Sequence, residues 1–247
     1  MAEIIGRKII KFDGIDSTNN YATKIAGNSE VFEGTMVLAN EQFSGRGQIN
    51  NTWESEPGAN VLASIIFYPE FLPVHYQFML SKVVSLGVAN CVSTYVEEVK
   101  VKWPNDIYVG NQKVAGILIE NSIMGMNIGW SVAGIGLNVN QMMFQGNAPN
   151  PVSIAMLLGN KIPLTEVVSR LCRCIDKWYA KLKNNEVSTI NQAYLEHLYR
   201  FGIESDYRDK EGVFRGKICA INKIGQLQIE KTNGVIGTYH FKEVIFL

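Results

Sequence analysis

Five short segments carry residue types that could do chemistry. In Gln42-Phe43-Ser44-Gly45-Arg46-Gly47-Gln48-Ile49-Asn50-Asn51-Thr52-Trp53 a single arginine stands between two glycines. Glycines let the backbone turn sharply and present N–H groups to an anion, and a guanidinium clamps phosphate or carboxylate with two hydrogen bonds. The segment is not a P-loop, since GxxxxGK[ST] is absent, and Asn50 stands where a dinucleotide fingerprint needs its third glycine. A plain surface loop or an RNA-binding RG element remains an alternative. Lys102-Trp103-Pro104-Asn105-Asp106 sets a cation, an aromatic ring and a carboxylate at a joint between two strands. Pro104 makes that joint irregular, and irregular strand ends often carry function; a simple Asn-Asp bend is the alternative. Lys113 follows a Gly110-Asn111 turn and can act with Asp106 only if both point to one face; otherwise it is a solvated hairpin lysine. Gly134-Ile135-Gly136-Leu137-Asn138 offers small residues over which a ligand ring could approach the backbone, or merely tight sheet packing. Asp16-Ser17-Thr18-Asn19 reads most simply as a helix N-cap.

The elements that must position these residues follow from periodicity. Strands are expected at Lys8–Phe12, Thr35–Ala39 and Val61–Tyr68, with a polar connection over Asn40–Asn60. A first helix runs Asn20–Ala26 and stops at Gly27. A second spans Val74–Val96, with Leu80, Val84, Val88, Cys91 and Tyr95 on one face, so Cys91 reads as core. Val99–Trp103, Asp106–Val109, Lys113–Asn121 and Trp130–Asn140 form consecutive hairpins, implying a largely antiparallel sheet. Asn147–Asn150 reads as a loop and Ser153–Leu158 as a short helix ended by Gly159. Thr165 is the expected N-cap of a helix facing inward through Val168, Leu171, Ile175, Trp178 and Leu182, and Val187–Leu198 forms another. Cys172 and Cys174, two apart on a helix, point to different sides and make a poor metal pair. After residue 200 the pattern changes to short strands such as Val213–Ala220, Leu227–Lys231 and Gly237–Phe241, suggesting a small SH3-like β-barrel. The expected architecture is therefore α+β: a mixed, largely antiparallel sheet flanked by helices over residues 1–200, and a small C-terminal β-barrel over 201–247.

Composition narrows the function classes. The 247 residues carry 23 Lys plus Arg against 23 Asp plus Glu, so neither a basic nucleic-acid coat nor an acidic tail is present. Four cysteines, far apart except for the Cys172-Arg173-Cys174 pair and without CxxC, and three scattered histidines argue against structural zinc and for reduced thiols. With no membrane-length apolar run and no secretory leader at residues 1–11, the expected setting is the cytoplasm, with no membrane partner.

The order of the segments is more informative than any one of them. S-T-N (17–19), then Q-x-x-G-R-G…W (42–53), K-W-P-N-D-I-Y (102–108), K-V-A-G-I-L-I-E (113–120) and G-x-G-x-N (134–138) resembles the biotin protein ligases, or biotin–acetyl-CoA-carboxylase ligases. The match covers most of residues 13–140. Lipoate ligases share the fold but generally lack the KWPNDIY and KVAGILIE pair. The resemblance implies an ATP-dependent, AMP-forming enzyme that converts biotin to biotinyl-5′-AMP and transfers it to a lysine of a biotin carboxyl carrier protein. It implies ATP and Mg2+ as cofactors and biotin as substrate. It assigns Ser17, Thr18, Asn19 and Gln42 to the biotin head group, and Gly45, Arg46, Gly47 and Gln48 to a loop over carboxylate and phosphate. Trp53 falls near the adenine, and Lys113 on the carboxylate and phosphate with Gly116 in the same string. Asn105 and Asp106 lie near the nucleotide, Asp106 also as metal ligand, and Asn138 on the nucleotide side. Lys113, Arg46 and Asp106 would carry the chemistry. The usual GRGRxGRxW string has more arginines than this chain, which has Gln48, Asn50 and Asn51 and keeps one loop cation. With S-T-N beginning at residue 17, the resemblance is to the single-function form without operator DNA binding; a homodimer is a candidate assembly. Two other readings remain open: a lipoate or octanoate ligase on the same fold, and a non-catalytic binding module whose RG loop contacts RNA.

Overall fold

A computed structural model describes residues 3–47, 51–146 and 150–247. Seven strands form the main sheet: β1 (Ile9–Ile15), β2 (Met36–Gln42), β3 (Val61–Phe67), β4 (Val99–Lys102), β5 (Asp106–Val109), β6 (Gln112–Met124) and β7 (Asn127–Leu137). Their order is β1-β2-β3-β7-β6-β5-β4. Only β1 and β2 run parallel, so the sheet is mixed and largely antiparallel, as expected. The apolar run of β3 is explained by burial on both faces, since every one of its residues is buried.

Helix α1 (Thr18–Ala26) packs on one face, where Ala22 and Ala26 meet Val37, Ile66 and Val132. The other face is covered by α2 (Phe78–Val92), α4 (Leu164–Lys183) and α5 (Val187–His197), with the single-turn α3 (Ile154–Leu158) leading into α4. α2 and α4 cross closely at Gly87, where any Cβ would fall 2.6 Å from Ile175. Cys91 lies in this core, Cys172 is buried and Cys174 half-buried, and all of these thiols are free.

Several boundaries differ from the local reading. β1 and β2 run on to Ile15 and Gln42 because they pair with each other, Ile15 against Gln42. Their pairing delivers Gln42 to the start of α1. The helix expected over 74–96 begins as a 3-10 turn, Val74–Tyr76, and α2 ends at Val92. There the Thr94 hydroxyl donates to the Cys91 carbonyl at 2.7 Å, which competes with continuation of the helix. Thr165 is not an N-cap. α4 starts two residues earlier, at Leu164 behind Pro163, whose fixed φ of −60° suits a helix entry, and no side chain caps it. The expected loop over 147–150 lies outside the described residues except for Asn150.

After residue 200, β8 (Glu204–Asp209), β9 (Gly212–Ile221), β10 (Leu227–Lys231), β11 (Ile236–Tyr239) and β12 (Ile245–Phe246) form a second, antiparallel sheet ordered β11-β10-β9-β8-β12. It docks on the first through Trp103, whose Nε1 donates to the Gly225 carbonyl at 2.8 Å and whose ring meets Phe241 edge-on. Among the described residues, no helix is long and apolar enough to cross a membrane.

Candidate active site

The N-terminus of α1 supplies the first wall of a cavity. Ser17 caps the helix in extended conformation and accepts from the Asn20 backbone N–H. The cap holds Thr18 and Asn19 inward on the first turn, each only 3% exposed. Gln42, brought by the parallel pairing, accepts from Thr18 N at 2.7 Å and Thr18 Oγ1 at 3.0 Å. Beneath them is Ser64 of β3, fully buried, with Oγ 2.8 Å from Thr18 Oγ1 and 2.6 Å from Asn19 Oδ1. The side chains of Thr18, Asn19, Gln42 and Ser64 are polar but uncharged, which suits a neutral ring that carries both donors and acceptors.

The opposite end is charged, and a β-bulge makes it so. β5 and β6 join through Gly110-Asn111, with Gly110 at φ +55°. Asp106 faces Gly116 and Ile107 faces Ala115, but Tyr108 faces Lys113, so Val114 is an extra residue in β6. Without it Lys113 would point to the other face of the sheet. With it, Lys113 Nζ meets Asp106 Oδ1 at 2.7 Å, on the cavity wall.

The pentapeptide at the β4–β5 joint divides between two tasks. Lys102 lies off the wall, over the Tyr108 and Phe246 rings, and burial lowers its pKa. Burial likewise pushes the Tyr108 phenol up to about 12, keeping it protonated. Trp103 anchors the second sheet, and the Trp103–Pro104 bond is cis. Asn105 and Asp106 line the cavity, with Asn105 Nδ2 bonded to the Ile117 carbonyl.

The floor is glycine. Trp53 lies across Gly116 of β6 and Gly136 of β7, which face each other in the sheet. A Cβ on Gly136 would fall 2.2 Å from the indole, and one on Gly116 2.8 Å. Lys113 Nζ stands 5.7 Å from the indole centre. Trp53 Nε1 is buried without a hydrogen-bond partner among the described residues. The loop is held at its base by Trp53 N bonding Gly45 O and Gly47 N bonding Asn51 O. Arg46 reaches the wall from this loop and pairs with Glu120 at 2.7 Å.

Of the sequence-derived candidates, Ser17, Thr18, Asn19, Gln42, Arg46, Gly47, Trp53, Asn105, Asp106, Lys113 and Gly116 therefore share one cavity. Gly45 shapes the loop base behind it, where a Cβ would meet Trp53 O at 2.6 Å. Gln48 lies outside the described residues. Asn138 does not line the cavity. It is buried, its N takes the Val114 carbonyl and its Nδ2 the Val152 carbonyl, so it fastens the approach to α3 behind the bulge. Glu120, Ser64 and Phe241 were missed. Glu120 ends the KVAGILIE string and could have been flagged; Ser64 in an apolar strand and Phe241 from the second sheet gave no local signal.

Among the described residues no group of three or more His, Cys, Asp and Glu could enclose a metal ion. Asp106 is one oxygen donor, the sort that Mg2+ takes together with substrate phosphates.

Residues 12–138 match the model of the biotin/lipoate A/B protein ligase family. The chain is 28% identical over 243 residues to the bifunctional ligase/repressor BirA of Bacillus subtilis, covering 96% of this chain and 74% of that one. It is 29% identical over 212 residues to the biotin–[acetyl-CoA-carboxylase] ligase of Paracoccus denitrificans, covering 81% and 87%. In fold it resembles the biotin protein ligase of Aquifex aeolicus, solved with biotin and ATP, at a TM-score of 0.80 and 23% identity over 98% of this chain and 99% of that one. A shared fold, an extended family match and a cavity built from the matched motifs lead to one conclusion: this chain belongs to the biotin/lipoate A/B protein ligase family.

Proposed function

We propose that the chain is a biotin protein ligase that activates biotin with ATP and transfers it to a lysine of a biotin carboxyl carrier protein. One observation carries this reading: two cations from distant segments, Arg46 and Lys113, line the same cavity as the neutral polar cradle of Thr18, Asn19 and Gln42. The cradle suits the cyclic urea of biotin, and the charged end suits its carboxylate and the nucleotide phosphates.

In the first step the biotin carboxylate attacks the α-phosphate of ATP, forming biotinyl-5′-AMP and releasing pyrophosphate. A carboxylate is already ionised at neutral pH, so no general base is required; the obstacle is repulsion between two anions. Arg46 and Lys113 offset that repulsion by position and charge. Trp53 offers a flat apolar face for the adenine on its glycine floor. Asp106 would hold a Mg2+ arriving with the phosphates, which supplies further neutralisation. In the second step a carrier lysine attacks the mixed anhydride and AMP leaves. We assign to Asp106, which pairs with Lys113, the task of orienting the amine and taking its proton. We read residues 1–200 as the catalytic unit and 201–247 as an SH3-like barrel that closes one side of the cavity through Phe241.

The test is pyrophosphate exchange into ATP by the purified chain. Exchange that requires biotin is expected. Exchange driven equally well by lipoate would overturn the biotin assignment.

A further inference from the structure

Glu120 plays no part in the mechanism above, yet it joins the ring cradle to the arginine loop. It follows Gly116 and Leu118 on one face of β6, so it points to the same side as the floor. Its Oε1 accepts from Arg46 Nη2 at 2.7 Å, and its Oε2 accepts from Asn19 Nδ2 at 2.9 Å and from Arg46 Nη1 at 3.5 Å. Asn20 Oδ1 takes the remaining reach of Nη1 at 2.7 Å. On the other side, Asn19 Oδ1 is 2.6 Å from Ser64 Oγ, which meets Thr18 Oγ1, which donates to Gln42. A run of polar contacts at hydrogen-bond distance thus leads from Gln42 through Thr18, Ser64, Asn19 and Glu120 to Arg46, and the two hydroxyl protons of Thr18 and Ser64 serve two of its three oxygen–oxygen contacts at a time. Gly134 makes room for it, since a Cβ there would fall 2.2 Å from Asn19 Oδ1.

We infer that Glu120 is a positioning residue that fixes the Arg46 guanidinium at the cavity wall and ties its place to the ring cradle. Arginine has many rotamers and this one sits on a loop with its side chain 44% exposed. Left alone, it would sample solvent. A carboxylate that takes two of its N–H groups selects one orientation and leaves the other donors for an incoming anion. Because the same carboxylate holds Asn19, a shift in the cradle when the ring is bound changes the seat of the arginine. The acceptor end of the run has two settings. Thr18 can give its proton to Gln42, or give it to Ser64 while Ser64 donates to Asn19. The second leaves Gln42 Oε1 accepting only from Thr18 N, at 2.7 Å, with a lone pair for a donor on the ligand.

The inference rests on the ligase reading, but the experiment separates the two. Pyrophosphate exchange is measured for E120Q in the wild-type and R46A backgrounds, with whichever acid drives exchange, so loss of the biotin assignment leaves the cycle readable. E120Q should lower kcat about three- to fivefold, the upper span of a part-exposed charge pair, and leave the acid's affinity within about twofold. In R46A, E120Q should change the rate by less than about twofold, because Glu120 acts through Arg46. The E120Q deficit should also shrink at high salt. An equal loss in both backgrounds, or a wild-type or higher rate for E120Q, would overturn the inference. In the ligand-free protein, NMR should show hindered rotation of the Arg46 guanidinium that E120Q releases. Free rotation in the unsubstituted chain would overturn it without any activity being measured.

Discussion

Replacing Gly136 by alanine tests how the floor of the cavity works. The new Cβ would stand 2.2 Å from Trp53 Cε2 and 2.6 Å from both Cζ2 and Nε1. The backbone cannot retreat, because Gly136 is paired with Leu62 of β3 on one side and Gly116 of β6 on the other. The indole must give way instead, by more than about 1 Å to regain ordinary contact. Trp53 belongs to a loop, so the strain should sit at the low end for overpacking, about 1 kcal/mol, or roughly 2–4 °C in Tm. The functional loss should be larger. A displacement of this size at a positioning surface can cost about 100-fold in rate, so kcat/KM for ATP should fall about ten- to hundredfold in the exchange assay. Two controls isolate the cause. Gly27→Ala, at φ −79° and with nothing within 4 Å of the added Cβ, should stay within about 0.5 kcal/mol of the parent. Adding Trp53→Ala to Gly136→Ala should restore stability but not activity. If Gly136→Ala leaves ATP kinetics within twofold, or if Trp53→Ala fails to restore stability, the argument for an indole bedded on glycine is refuted.

Two further predictions follow from the charged groups. Lys113→Ala should reduce exchange by about 100-fold or more, as loss of a charge-stabilising group does, while Tm stays within a few degrees because the Lys113–Asp106 pair is part-exposed; near-normal exchange would remove Lys113 from the chemistry. Lys82 of α2 is 6% exposed, bonded to Asn191 Oδ1 and set against the Phe78 and Tyr194 rings, and burial lowers its pKa to about 8. The unfolded chain then holds more protons between about pH 8 and 10.5, so this group's contribution to stability rises with pH across that window. Lys82→Met should add about 2 kcal/mol at pH 7, roughly 3 kcal/mol from the shift less about 1 for the lost hydrogen bond to Asn191, and the gain should fade towards pH 10.5; a gain independent of pH in denaturant titrations would contradict the assignment.

Short-range patterns along the chain set the kinds of element and the pieces of the site. The apolar steps Leu80, Val84, Val88 and Cys91 define the buried face of α2, and all four are fully buried. Ser17 ahead of α1 acts as the N-cap that its residue type suggests. These signals were legible because helical and strand periods and caps depend on neighbours a few residues away. Everything that depended on pairing between distant segments was decided by the tertiary structure. The extra residue Val114 turns Lys113 to the face of Asp106, and a bulge is a property of two strands in register rather than of one string. The parallel β1–β2 pair carries Gln42 to Thr18, and the second sheet sends Phe241 to the cavity. Asn138 lies inside the G-x-G-x-N motif, yet the chain folding over it at Val152 claims its amide and keeps it off the wall. Motif order named the participants; strand register, set by long-range hydrogen bonds, determined which of them meet.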